Sequence, residues 1–175
     1  MQNPLFSSIK DKLNARRSKT EVALANIYIF QNLTRRELKL VGSMAHVRHY
    51  NSGESVFEQG DPGSGMYIIL NGSVGVYQNI PHSEPRRLND LYKGDFLGEL
   101  ALLDEAPRSA SIKTNENSIL LGFFRADLMK LLNSKPETGN KIMLALSKVL
   151  AHRLRETNDA LRLCQLEASK KSEAQ

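Results

Sequence analysis

A chain of 175 residues with 41% apolar and 25% charged side chains has enough apolar surface to bury a core, which excludes wholesale disorder. It holds no run of eighteen apolar residues to span a membrane, and its first residues lack the apolar stretch of a secretory signal. The net charge of +5 is mild, and the single cysteine, Cys164, excludes both a disulfide framework and a cysteine-built zinc site within one chain, which suits a reducing, cytoplasmic setting.

In chain order, Leu5, Phe6, Ile9 and Leu13 stand at helical spacing in a polar segment. Lys10, Lys12, Arg16, Arg17 and Lys19 face one acid, Asp11, over the same stretch. Such a run is read first as the solvated face of a helix, and second as a contact for nucleic acid, anionic lipid or a partner protein. A second apolar group follows, from Val22 to Leu33. Thr34, with Glu37 three residues on, predicts a capping box opening a helix over 35–44.

From residue 46 the period changes from helical to alternating. The segments 46–50, 54–58, 66–70, 73–78, 86–92, 109–114 and 118–124 are short and rich in β-branched and aromatic residues. Turn residues separate them at 51–53, 60–63, 71–72 and 93–95, and Asn71-Gly72 predicts a tight hairpin. Many short strands at this spacing imply a small barrel or jelly roll. After 125 the helical period returns with a short helix over 126–133. Pro136 then opens a long helix to about 168, and 169–175 reads as a frayed tail.

Residues 94–111 carry the chemistry. Gly94 and Gly98 allow backbone to approach a ligand closely. Leu100 to Leu103 can form one helical turn whose leading N–H groups suit an anion. Glu99, at the same end, can accept from vicinal hydroxyls. Arg108 offers a guanidinium fork for a phosphate, with the Ser109 hydroxyl beside it. One acid for a sugar and one arginine for a phosphate describe a ribose-phosphate site.

This segment, with LGELAL and then PRSA, closely resembles the phosphate-binding cassette of cyclic nucleotide-binding domains. Phe30 and Leu33, the Gly60-Asp61 turn, MYII, Gly72 and GDF follow in the family's order, so the resemblance covers about 28–160. Leu97 stands where many members have Phe or Ile, and the Glu99-to-Arg108 spacing matches the kinase regulatory-subunit cassettes. The resemblance implies an α+β fold: an eight-stranded, jelly-roll-like β-roll with N-terminal helices and a long C-terminal helix. It divides the chain into a helical extension (1–27), the β-roll domain (28–134), a lid and dimerisation helix (135–168) and a tail (169–175).

The resemblance further makes Glu99 the ribose acceptor and Arg108 the partner of the cyclic phosphate. Gly98, Ser109 and the N–H groups of Leu100, Ala101 and Ala110 stand around that phosphate, and Val76 and Leu88 line the base pocket. Thr157 and Asn158 fall where bacterial catabolite activators hydrogen-bond the purine, one of these contacts coming from the partner subunit. Along the same helix Leu154, Leu161 and Ala168 as a positions, with Leu150, Thr157 and Cys164 as d positions, form a short heptad seam that implies a parallel homodimer.

The remaining motifs are bland. His46 and His49 fall on opposite faces of a strand with no third ligand near, so no metal is expected. The glycine-rich 60–65 stretch lacks the Lys-Ser/Thr of a P-loop and reads as turn. No nucleophile–base pair points to an enzyme, and no cofactor is expected. The seven residues after 168 leave no room within this chain for a winged helix-turn-helix. The expected function is therefore a stand-alone cytoplasmic receptor for a cyclic nucleotide. Cyclic AMP comes before cyclic GMP, and the signal passes to a separate effector protein through the C-terminal helix. The alternatives are an interaction module that keeps the fold without needing nucleotide, and a nucleic-acid-binding regulator using the basic N-terminal stretch.

Overall fold

The computed structural model describes residues 19–173; the amphipathic segment from Leu5 to Leu13 and the basic run before Lys19 lie outside them. Helix α1 (Lys19–Asn26) and a 3-10 turn (Tyr28–Phe30) lead to helix α2 (Arg35–Met44). Thr34 caps α2 with the expected box: Glu37 N–H donates to Thr34 Oγ1 at 3.4 Å, and Thr34 N–H donates to Glu37 Oε2 at 2.6 Å. Leu24, Phe30, Leu33, Leu38 and Val41 from this region are all buried.

Eight antiparallel strands follow: β1 (His46–Tyr50), β2 (Ser55–Phe57), β3 (Gly65–Asn71), β4 (Ser73–Gln78), β5 (Arg86–Tyr92), β6 (Phe96–Leu97), β7 (Ser111–Thr114) and β8 (Ser118–Phe124). They form two four-stranded sheets, ordered β1-β8-β3-β6 and β2-β7-β4-β5. This is the β-roll that the resemblance implied. Strand β3 is buried on both faces. Met66 and Ile68 join the helices in one core, while Tyr67 and Ile69 meet Val74, Leu97, Ile112 and Leu120 between the sheets. The two-residue alternation of a strand divides its side chains in this way.

Three expectations need correction. Asn71-Gly72 does not make a hairpin, because β3 and β4 belong to different sheets. Gly72 turns the chain from one sheet to the other at φ +86°, and a Cβ there would lie 2.2 Å from Ser118 Oγ, so only glycine fits. Residues 109–110 stay outside β7, because Pro107 bridges Pro62 and Arg108 exchanges backbone hydrogen bonds with Gly60 and Asp61. The final helix does not stop near 168: it continues to Glu173.

Helix α3 (Arg125–Ser134) joins β8 to helix α4 (Pro136–Glu173). Early α4 is built into the core through Thr138, Ile142, Ala145 and Leu146. Glu37 Oε1 of α2 accepts from Lys141 Nζ at 2.9 Å and Thr138 Oγ1 at 3.1 Å. From 151 to 166 every residue of α4 is exposed. No described helix is long and apolar enough to cross a membrane.

Candidate functional site

A cavity of about 670 Å³ opens between the second sheet, the 98–110 segment and α4. Its apolar wall is Val76 of β4, Leu88 and Leu91 of β5, and Leu97 and Ile112, so both residues expected to line a base pocket are there. Its polar groups are Glu99, Arg108, Ser109, Asn89, Asp104, Arg153 and Thr157. A concave apolar pocket with a few convergent polar groups is the general form of a small-molecule site.

The 98–103 segment forms as its residue types dictate. Gly98 sits in the left-handed region at φ +71°, and a Cβ on it would lie 2.6 Å from Arg108 Nη1. Glycine suits the left-handed turn and lets the tip of Arg108 come close. A 3-10 turn then runs over Glu99–Leu102, with Ala101 and Leu102 buried as its anchor and Leu100 half exposed at the cavity. The Ala101 N–H donates to Gly98 O at 3.2 Å, so within this turn it already has an acceptor. The leading N–H groups of Glu99 and Leu100 have no intrahelical partner in such a turn.

Glu99 is only 2% exposed. Its Oε1 accepts from Nη1 of Arg153, which reaches in from α4 and also lies over the Phe96 ring at 5.4 Å. Arg153 escaped the sequence reading. The signal was available, since it stands one helical turn before Thr157 and so shares its face.

Arg108 is 8% exposed and makes no ion pair among the described residues. Its Nη1 donates to Gly98 O at 3.2 Å, its Cζ lies 4.1 Å from the Phe57 ring centroid, and its buried Nε has no hydrogen-bond partner among the described residues. Burial pushes the guanidinium below its ordinary pKa, against the opposing pull of Tyr67, Asp61 and Glu99. A buried cation with an orphaned donor, beside the Ser109 and Ala110 backbone, is a seat for an anion.

Thr157 lines the cavity and donates its hydroxyl to Arg153 O at 2.8 Å. Asn158 does not line it; it lies on the neighbouring helix face with Arg155 and Leu161. Successive helical residues diverge by about 100°, so the two cannot serve one pocket from one chain.

The family model for the cyclic nucleotide-binding domain matches residues 47–135. The chain belongs to this family. The chain is 34% identical over 142 residues to the cyclic AMP receptor protein of Thermus thermophilus, covering 81% of this chain and 64% of that protein. It is 29% identical over 138 residues to a CRP-like cAMP-activated global transcriptional regulator of Mycobacterium tuberculosis, covering 79% and 60%. The crystal structure of the Thermus thermophilus catabolite activator protein superposes with a TM-score of 0.71 at 34% identity, covering 79% of this chain and 63% of that one. The chain thus spans somewhat under two thirds of the length of these relatives.

Proposed function

We propose that the cavity binds a cyclic nucleotide and that the chain is a cytoplasmic receptor for it, with cyclic AMP as preferred ligand and cyclic GMP as the weaker one. The observation that carries this reading is Arg108: a nearly buried guanidinium, with an unpartnered Nε, on the wall of the cavity that also holds the Glu99 carboxylate. The cyclic phosphate would take Arg108 and the N–H groups of 99–100 and 110, and the ribose hydroxyl would take Glu99. The purine would lie between Val76, Leu88 and Thr157. The names of the relatives, a cyclic AMP receptor and a cAMP-activated regulator, support the same ligand class.

Thr157 supports adenine over guanine. Its hydroxyl proton is committed to Arg153 O, so the oxygen is left to accept. Adenine offers a donor there and guanine an acceptor. One matched hydrogen bond supports a preference of about 1–2 kcal/mol.

Arg153 gives the signal a route, because a ribose hydroxyl arriving at Glu99 must share or displace it and so acts on α4. A homodimer through the 150–168 seam of α4, with Asn158 reaching the partner's ligand, and an effector protein that reads the helix complete the reading. The rival, an interaction module without ligand, draws on the same contact, since Arg153 already satisfies Glu99.

Calorimetric titration with cyclic AMP separates the two. Wild type should bind, and Arg108→Ala should lose about 2–5 kcal/mol of affinity. A wild type that gives no heat and no competition with either nucleotide supports the rival.

A further inference from the structure

Arg108 is held by little. One hydrogen bond, from Nη1 to Gly98 O at 3.2 Å, is its only side-chain hydrogen bond among the described residues, and a single such bond does not by itself set the guanidinium plane. The ring that the guanidinium lies over is that of Phe57. This residue ends β2, where the register against β7 shifts between Ser55 and Phe57, and it lines the cavity. The Arg108 Cζ stands 4.1 Å from its ring centroid.

Behind Phe57 stands a stack that keeps the ring in place. Tyr67 lies 6.1 Å away at 33° between planes, and Phe124 closes on Tyr67 edge-to-face at 6.2 Å. Gly122 makes room for it: a Cβ there would lie 3.1 Å from Phe124 Cζ and 3.4 Å from Tyr67 Cε1. The stack crosses from β2 to β3 and β8, so it is anchored in both sheets.

The chemistry of this support matters. A carboxylate in place of Phe57 would hold the guanidinium by consuming its N–H donors and neutralising it. An aromatic face compensates part of the lost hydration of the buried cation and uses no donor. Arg108 thereby keeps both its charge and its unpartnered Nε.

We propose that Phe57 is a positioning residue for anion recognition: its ring sets the plane of the Arg108 guanidinium and supports its charge without spending its donors, so affinity for the phosphate requires an aromatic side chain at 57. The proposal rests on the cyclic nucleotide reading of the cavity and assigns to that reading a residue outside the 94–111 segment.

The test is a titration of the full chain and its variants with cyclic AMP, and with adenosine, which lacks the phosphate. Phe57→Leu should weaken cyclic AMP binding by about 3- to 30-fold and leave adenosine unchanged. Phe57→Tyr should restore cyclic AMP to within about twofold of wild type, since the face is kept. In an Arg108→Ala background the Phe57→Leu effect should vanish. Equal loss for cyclic AMP and adenosine, failure of Tyr to rescue, or a loss that persists without Arg108 would overturn the proposal, because each describes a residue that merely shapes the pocket. If Phe57→Leu does not fold by circular dichroism, Phe57→Met carries the same readouts. Normal binding by Phe57→Leu beside lost binding by Arg108→Ala overturns the proposal and leaves the nucleotide reading standing. A wild type that binds neither ligand overturns both.

Discussion

Helix α4 is one continuous helix with two different reasons to exist. Its first part, to about residue 150, is held by the core: Ile142 and Leu146 are fully buried, and Lys141 and Thr138 are tied to Glu37 of α2. Its second part, 151–166, is exposed throughout and reaches the roll through a polar contact, Arg153 on Glu99. A lone helix of this length is marginal in water unless something packs on it. The first part therefore belongs to the fold, and the second is available to a ligand at Glu99 and to a second copy along Leu154 and Leu161. The side chain of Ala168, the last expected a position, lies outside the described ones.

The largest expected effect lies in the first part. Leu146→Ala should cost about 2–5 kcal/mol in chemical denaturation, as a truncated core leucine does. Leu154→Ala, at 62% exposed, should change monomer stability by less than about 0.5 kcal/mol. Equal losses would erase the division.

Leu154→Glu with Leu161→Glu should leave the fold intact and abolish self-association in light scattering, because like charges would meet in the seam. A wild type that is already monomeric at high concentration would remove the seam from the account.

Arg153→Ala strips the partner from a buried carboxylate. With Arg153 itself 47% exposed in its side chain, the expected loss of stability is only about 1–2 kcal/mol. Hydrogen exchange over 151–166 should quicken while 138–148 stays protected. Restored stability in Glu99→Gln/Arg153→Ala would identify the unpaired charge as the cause.

An effect of similar size depends on pH. Burial alone would raise the Glu37 carboxyl, but Lys141, Thr34 and Thr138 together lower it from 4.5 to about 2. A carboxyl depressed in the folded state stabilises above its unfolded pKa and loses that contribution as pH falls through the folded one. Glu37→Gln should therefore be less stable than wild type at neutral pH, by on the order of 1–2 kcal/mol. The gap should close as pH falls from about 5 toward 2. A gap that is constant across that window would mean that the charge of Glu37 contributes nothing to holding early α4.

Legibility followed the range of the interactions. Helix α2 was readable to the residue, because its capping box and apolar spacing are local. Strands at 46–50, 73–78, 86–92 and 118–124 were read with the bounds they have, since alternation and turn residues are also local. The two-residue β6 is too short to show a period, and it exists only because Phe96 and Leu97 pair with Ile68 and Tyr67. The tight hairpin expected at Asn71-Gly72 was misread for the same reason: the dipeptide announces a turn, but which sheet the next strand joins depends on distant partners.

The site divides along the same line. Glu99, Arg108, Ser109 and their glycines lie in one contiguous stretch, so residue types and spacing alone announced a ribose-phosphate site. Arg153 lies 54 positions from Glu99, and only its place one helical turn before Thr157 hinted at the site, while Phe57 sits on a separate strand with no local pattern to mark it. Their roles come from the β-roll, which brings β2 under Arg108, and from α4, which turns Arg153 and Thr157 inward and Asn158 away. By itself the sequence determined the element types, the cassette and the chemistry it offers, because these follow from neighbours within a few residues. Only the tertiary structure decided which arginine satisfies Glu99 and which remains unpaired, because that depends on side chains that meet only when the chain is packed.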